Sequence, residues 1–180
     1  QENSVKVHKK NSEPWSVTLV DTGENTMTGG RMKRIKQYVE GDQAFCCTYG
    51  DGVADINISA LIKFHYQHGK QATLTATRPP GRYGAIKFGV GDSIDQFQEK
   101  PDGDGSWING GFFVLHPDVL DRISGDDMSW EDEPLSGLAS DNQLFAYRHE
   151  GFWQPMDTLR DKNLLEKLCN NGEAPWKKWE

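Results

Sequence analysis

Residues 44–53 read Ala-Phe-Cys-Cys-Thr-Tyr-Gly-Asp-Gly-Val, an apolar, β-prone run that breaks at a Gly-Asp-Gly turn. Such a run is expected to form a buried strand that delivers one carboxylate, Asp51, to the sheet edge where α/β proteins bind ligands. Gly50 and Gly52 remove side-chain bulk on either side of it, so a hydrated cation or a bulky ligand can approach the backbone. Asp51 is therefore expected to be a metal ligand in a phosphate site. Asp and Gly are also the residues of an ordinary turn at a strand end, and the segment by itself fits both descriptions. A second carboxylate, Asp157, stands in Gly151-Phe-Trp-Gln-Pro-Met-Asp-Thr158, just before a helix whose apolar side is Leu159, Leu164, Leu165 and Leu168. Asp157 or Thr158 equally suits the N-cap of that helix.

Cationic residues that could face a phosphate are fewer. Lys100, in Phe97-Gln-Glu-Lys-Pro101, ends an extended segment and can hold a phosphate as a compact point charge. Arg31 follows Thr28-Gly29-Gly30, where Thr28 as N-cap would leave free N–H groups and a positive dipole end beside it, a combination suited to an anion. A solvated lysine and an exposed arginine at a helix start are the plainer readings. His65 and His68, three apart, could face one cation but have no third ligand nearby. Asp102 and Asp104 form an Asp-x-Asp of the kind used by metal-dependent glycosyltransferases, although an acidic hairpin turn accounts for them as well, and Phe113 stands where a calcium loop needs Glu. No Ser, Cys or His is arranged as a nucleophile.

These residues need a scaffold, and the chain has the length for one. Its 180 residues are expected to form a single domain, and the formal net charge of −7 argues against a nucleic-acid or anionic-membrane surface. Three cysteines, two of them adjacent at 46 and 47, give no disulfide framework and are expected to be reduced, buried small residues in a cytoplasmic setting. No apolar run approaches membrane-spanning length.

Alternation predicts strands over 15–21, 44–49, 71–77, 107–115 and 144–147, and a hairpin or meander between residues 82 and 100. Spacings of three and four predict helices carrying Met32, Ile35 and Val39, then Ile58, Leu61, Ile62 and His65 with Asn57 as cap and Gly69 at the end, and further helices near 118–123, 129–138 and after 158. The helix between the strands at 44–49 and 71–77 suggests a βαβ unit with parallel neighbours, and the hairpin makes the sheet mixed. Asn109-Gly110-Gly111 could let a ligand lie flat against the backbone, or mark a bulge.

Taken together, Thr28-Gly-Gly-Arg31, Tyr49-Gly-Asp-Gly-Val-Ala-Asp55, Pro79-Pro-Gly-Arg-Tyr-Gly84, Phe97-Gln-Glu-Lys-Pro101, Asn109-Gly-Gly-Phe-Phe113 and Gly151-Phe-Trp-Gln-Pro-Met-Asp-Thr158 resemble the bacterial glucose-1-phosphate cytidylyltransferases, within the sugar-phosphate nucleotidylyltransferases. The resemblance runs from about Val5 to Glu180. It implies a Rossmann-like α/β sandwich with a mixed sheet, and a reaction of CTP with glucose 1-phosphate to give CDP-glucose and pyrophosphate. It further implies Mg²⁺ held by Asp51 and Asp157, catalytic roles for Lys100 and Arg31, a sugar pocket of Gly84, Glu99, Asn109 and Gly110, and Thr26, Arg31 and Gly50 against CTP in a homo-oligomer. The family's opening strand and Gly-Gly-x-Gly-Thr-Arg loop with its following lysine have no match here. The expectation is thus a partial nucleotidyltransferase domain, N-terminally truncated, with weak turnover or none; a non-catalytic sugar-phosphate-binding or oligomerisation module is the alternative.

Overall fold

Strand β6 (Ile108–Leu115) is the axis of the molecule, because its successive residues Phe113, Val114 and Leu115 are all buried and so need cover on both faces. In the computed structural model, which describes residues 15–79, 85–88, 90–98 and 107–178, β6 pairs antiparallel with β1 (Phe45–Thr48) on one side and with β3 (Ala72–Thr77) on the other. Beyond β3 lies β7 (Leu144–Arg148), parallel to it, giving a mixed sheet of order β1-β6-β3-β7. The mixed α/β architecture expected from the sequence is therefore present. The expected βαβ neighbours are parallel but not adjacent: β6 enters between β1 and β3, since a strand buried on both faces belongs at the sheet centre.

Alternation along the strands sorts side chains into two layers. On one face Phe45, Cys47, Leu74, Phe113 and Leu115 meet Met32 of α1 (Thr28–Arg34), Val119 and Leu120 of the 3₁₀ turn Pro117–Arg122, Trp130, and Leu135 and Leu138 of α4 (Glu133–Ser140). The opposite face is covered by α3 (Ile58–His68), whose inward residues are Leu61 and His65. Asn57 caps α3 by accepting from the Ala60 N–H at 2.9 Å, and Gly69 closes it in the left-handed region at φ 62, both as expected. A separate antiparallel hairpin joins β4 (Ala85–Phe88) to β5 (Ile94–Gln98). Two three-residue strands, β2 (Gly52–Ala54) and β8 (Trp153–Pro155), pair with each other, and α5 (Leu159–Asn170) follows.

Several expectations fail for identifiable reasons. Residues 15–20 form no strand, and Trp15, Val17 and Leu19 are exposed; alternation makes a strand only where a partner edge exists, and none among the described residues pairs with them. The helix through Met32 and Val39 breaks at Ile35 into α1 and α2 (Lys36–Val39). The helix expected from 129 starts at Glu133, because Trp130 is committed to the core. Cys46 and Cys169 are exposed rather than buried, Cys46 because it faces away from the main core on an end strand. Of the apolar side of α5 only Leu165 is buried. Trp176 stacks on Phe152, their ring centroids 5.4 Å apart.

His65 and His68 do not wait for a cation: both rings converge on the buried Thr73 hydroxyl, at 2.9 Å and 2.7 Å. The Lys70 N–H donates to His68 Nδ1, so neutral His68 carries its proton on Nε2 and gives it to Thr73, whose own hydroxyl then donates to His65 Nδ1. Two protonated rings could not share one hydroxyl in this way. Burial first, and then the neighbouring His68 and His116 charges, push the His65 pKa down to about 4. With the folded value below the unfolded one, its contribution is complete above about pH 6.5 and is lost as pH falls through 4. Urea midpoints measured from pH 7 to 4 should show a loss on the order of 1–3 kcal/mol across this window, with a shallower decline in His65→Asn.

Candidate functional site

β1, β3 and β7 run parallel and β6 opposes them, so three carboxyl ends and the amino end of β6 share one edge. In α/β proteins that edge is where ligands bind. Here it gathers Tyr49–Asp51, Thr77 and Arg78, Arg148 and His149, and Trp107–Gly110. Arg78 and Arg148 both lie over the Trp107 ring, at 4.8 and 5.8 Å from its centroid. A cleft of about 600 Å³ opens beside them, lined by Thr77, Arg78, His149, Phe152 and Gln154 among others.

The β2–β8 ribbon fixes both candidate carboxylates. Gly52 pairs with Pro155, and one step further out the Met156 N–H donates to the Asp51 carbonyl at 2.8 Å. Asp157 is the next residue along, so the ribbon brings the segments of two exposed acids together, with Asp51 opposite Met156 and Asp157 one step beyond it. The ribbon is tied to the main sheet by the Trp153 indole N–H, which donates to the Gly110 carbonyl at 2.8 Å. On the far side, buried Gln154 donates to Asp161 Oδ1 at 3.0 Å. Asp161 also closes a capping box with Thr158, which is therefore the N-cap of α5 and leaves Asp157 outside the helix.

Asn109 and Gly110 lie at the opening of β6. A Cβ at Gly110 would come within 3.0 Å of the Thr75 carbonyl, so close strand packing explains that glycine. The Asn109 amide donates through Nδ2 to the Tyr49 hydroxyl at 3.2 Å and accepts through Oδ1 from the Gly111 N–H at 2.8 Å. Gly50 is exposed with open space around its Cβ position. Thr26 is buried, whereas the exposed Arg31 turns back to donate to Thr22 Oγ1 at 2.8 Å and the Glu24 carbonyl at 3.1 Å.

Thr28 is not the cap of α1. Met27 occupies that position with no side-chain bond, and the Thr28 hydroxyl instead donates to Glu131 Oε2 at 2.7 Å. The second oxygen of Glu131 accepts from the Tyr49 hydroxyl. Burial and this bond to Glu131 hold the Tyr49 pKa well above its ordinary value, so the hydroxyl keeps its proton. Burial likewise raises the Cys47 thiol to about 11, which removes it as a nucleophile. Neither Tyr49 nor Glu131 was singled out from the sequence. Glu131 reads there as a first-turn acid of a helix, and only the fold brings it to residue 49.

Gly84, Glu99, Lys100, Asp102 and Asp104 lie outside the described residues. Among those described, no three or more His, Cys, Asp or Glu side chains form a metal-holding cluster, and no helix is long and apolar enough to cross a membrane.

A mixed sheet covered by helices on both faces, with turns gathered at its carboxyl edge, defines a ligand-binding α/β protein of the Rossmann-like type. Comparison with known proteins narrows this class: the nucleotidyl transferase family model matches residues 1–154, and the chain belongs to that family. Glucose-1-phosphate cytidylyltransferases of Salmonella typhimurium and Salmonella typhi are each 61% identical over 179 residues, 99% of this chain and 69% of theirs. The structure of HddC from Yersinia pseudotuberculosis superposes with a TM-score of 0.57 at 19% identity, over 83% of this chain and 64% of that one. That likeness speaks for the fold alone.

Gly111 has φ +77, and a Cβ there would lie 2.7 Å from the Tyr49 ring, whereas one at Gly50 meets nothing within 4 Å. Gly111→Ala is expected to lower stability by about 1–3 kcal/mol in urea unfolding, and Gly50→Ala by less than about 0.5 kcal/mol.

Proposed function

We propose that the chain serves the joining of CTP to glucose 1-phosphate, giving CDP-glucose and pyrophosphate. The observation that carries this reading is the 61% identity to glucose-1-phosphate cytidylyltransferases, and the β2–β8 ribbon, which brings the segments carrying Asp51 and Asp157 together, supports it. An oxygen of the sugar phosphate attacks the α-phosphorus of CTP in line; the bond to the β-phosphate oxygen breaks and pyrophosphate departs. Because the substrate brings its own nucleophile, the protein has only to align the two phosphates and offset their charge.

In this reading Asn109, Gly110, Gly84 and Glu99 line the sugar, and Lys100 holds its phosphate. Thr26, Gly50 and Arg31 lie against CTP, Arg31 having first to release Thr22 and Glu24. Two carboxylates on adjacent backbones offer a set of hard oxygen donors, which fits Mg²⁺, an ion commonly bound by one or two carboxylates plus phosphate oxygens and water. Asp51 and Asp157 would hold it, and when bound it supplies charge neutralisation at the reacting phosphates.

A second reading is a sugar-phosphate-binding or oligomerisation module without turnover. A homo-oligomer belongs to either reading. Among the described residues β1 stands at the end of its sheet, and such an edge invites a partner; Trp15, Val17 and Leu19 are also exposed. Three free cysteines suit a reducing, cytoplasmic compartment.

Pyrophosphate release from CTP, Mg²⁺ and glucose 1-phosphate, run beside calorimetric titration with glucose 1-phosphate alone, separates the two readings. Turnover that falls roughly a hundredfold or more in both Asp51→Asn and Asp157→Asn is the expected result. Binding without pyrophosphate release supports the second reading, and neither binding nor release defeats both.

A further inference from the structure

We infer that Glu131 is a positioning residue for the sugar-phosphate pocket, acting through the Tyr49 hydroxyl on the side-chain amide of Asn109. The inference rests on the reading of Asn109 as a sugar ligand and goes beyond it, since neither Glu131 nor Tyr49 has a role in that reading.

Hydrogen-bond polarity fixes this arrangement. The Glu131 carboxylate accepts from two hydroxyls at once, Thr28 through Oε2 at 2.7 Å and Tyr49 through Oε1. A tyrosine has one proton to give, and here it goes to Glu131. The Tyr49 oxygen can then serve Asn109 only as an acceptor, and it receives the Nδ2 hydrogen at 3.2 Å. At the other end of the same amide the Gly111 N–H donates to Oδ1 at 2.8 Å. Rotating the Asn109 amide by half a turn would set Oδ1 against an oxygen with no proton to offer, and Nδ2 against an N–H. Both hydrogen bonds would be lost, so the amide has one orientation. One Nδ2 hydrogen and part of Oδ1 remain for a sugar hydroxyl pair, presented with fixed polarity.

Glu131 is well mounted for this task although its own side chain is exposed. Its neighbour Trp130 is fully buried, and the Trp130 N–H donates to Thr28 Oγ1 at 2.9 Å, so the carboxylate is anchored from two sides. Tyr49 is fixed as well: its N–H donates to the Gly111 carbonyl at 3.1 Å, and its ring packs edge-on against Phe113. A purely structural clamp between α1 and the sheet would need the Thr28 and Tyr49 contacts, but would be indifferent to which way the Asn109 amide points.

Glu131→Gln tests that distinction, because it keeps shape while placing an NH₂ group against one of the two hydroxyls. The full chain is compared with Glu131→Gln, Tyr49→Phe, the double variant and Thr28→Val, following thermal midpoint, calorimetric affinity for glucose 1-phosphate and the Asn109 side-chain amide resonances. Expected are a roughly five- to thirtyfold loss of affinity in Glu131→Gln and in Tyr49→Phe, with the double variant no worse than Tyr49→Phe alone. The Asn109 amide resonances should move in both, whereas Thr28→Val should lower the thermal midpoint and leave affinity and those resonances in place. Unmoved resonances in Glu131→Gln and Tyr49→Phe, or affinities lost only in proportion to stability, would overturn the inference. If the parent chain does not bind glucose 1-phosphate, the reading of the pocket fails on its own account, and the ligand-free resonances still decide whether Glu131 sets the amide.

Discussion

The site depends on the pairing of two three-residue strands separated by most of the chain. β2 and β8 are too short to persist alone, since even a full two-stranded hairpin is marginal in water. Closing so long a loop adds an entropic cost, although one that grows only slowly with length. What holds the ribbon is its anchoring at several points: Trp153 to the Gly110 carbonyl, the Asp55 N–H to the Phe152 carbonyl, and buried Gln154 to Asp161. Gln154 matters most among these. The residue is buried, and removing the Asp161 acceptor would leave its amide only the Pro155 carbonyl, at 3.1 Å, at the base of the segment carrying Asp157.

A second constraint sets α1 and α2 against residues 117–131. Its visible ion pairs, Arg34 with Asp126 at 2.6 Å and Lys36 with Asp121, are largely solvent-exposed and contribute little. The closer contact is between backbones. A Cβ at Gly29 would fall 2.6 Å from the Met128 carbonyl, and one at Gly30 would fall 2.6 Å from Asp126 Cα and from the Thr26 methyl. Two adjacent glycines weaken a helix by roughly 1 kcal/mol each relative to alanine, and here the lost propensity is offset by a packing distance no other residue allows. The Thr-Gly-Gly-Arg motif thus explains itself as architecture. It brings Thr28 within hydrogen-bonding reach of Glu131.

How far the fold could be read from the sequence follows from the range of the interactions involved. β1, α3 with both caps, β3, the hairpin, β6, β7 and α5 were all legible, because period, cap and breaker residues are encoded within a few positions. The order of the sheet was not. Placing β6 between β1 and β3 depends on a competition for burial that no local window contains. Three-residue strands carry no usable period, so neither β2 nor β8 is visible in the sequence. Asp51 and Asp157 were legible as candidates from turn and cap chemistry, yet their adjacency is a fact of pairing. Glu131 was illegible for the same reason: its meaning lies in two hydroxyls, one a hundred residues upstream and the other eighty.

Charge gives the edge its logic. The chain is acidic overall, and Asp51, Asp157 and Glu131 stand exposed around the turns where a phosphate-bearing ligand would enter. Two like charges about 4 Å apart at an effective dielectric near 20 repel by roughly 4 kcal/mol, so carboxylates and phosphates cannot share this space without cations between them. Described cations at this edge include Arg78 and Arg148, each held over the Trp107 ring, a stacking that restrains their direction. Glu131 escapes the conflict by a different route. Both of its oxygens are spent on hydroxyl protons, so its charge is turned inward and used to orient Tyr49 instead of confronting a ligand. Asp51 and Asp157 stand exposed at the same edge, where carboxylates and an entering phosphate need positive charge between them.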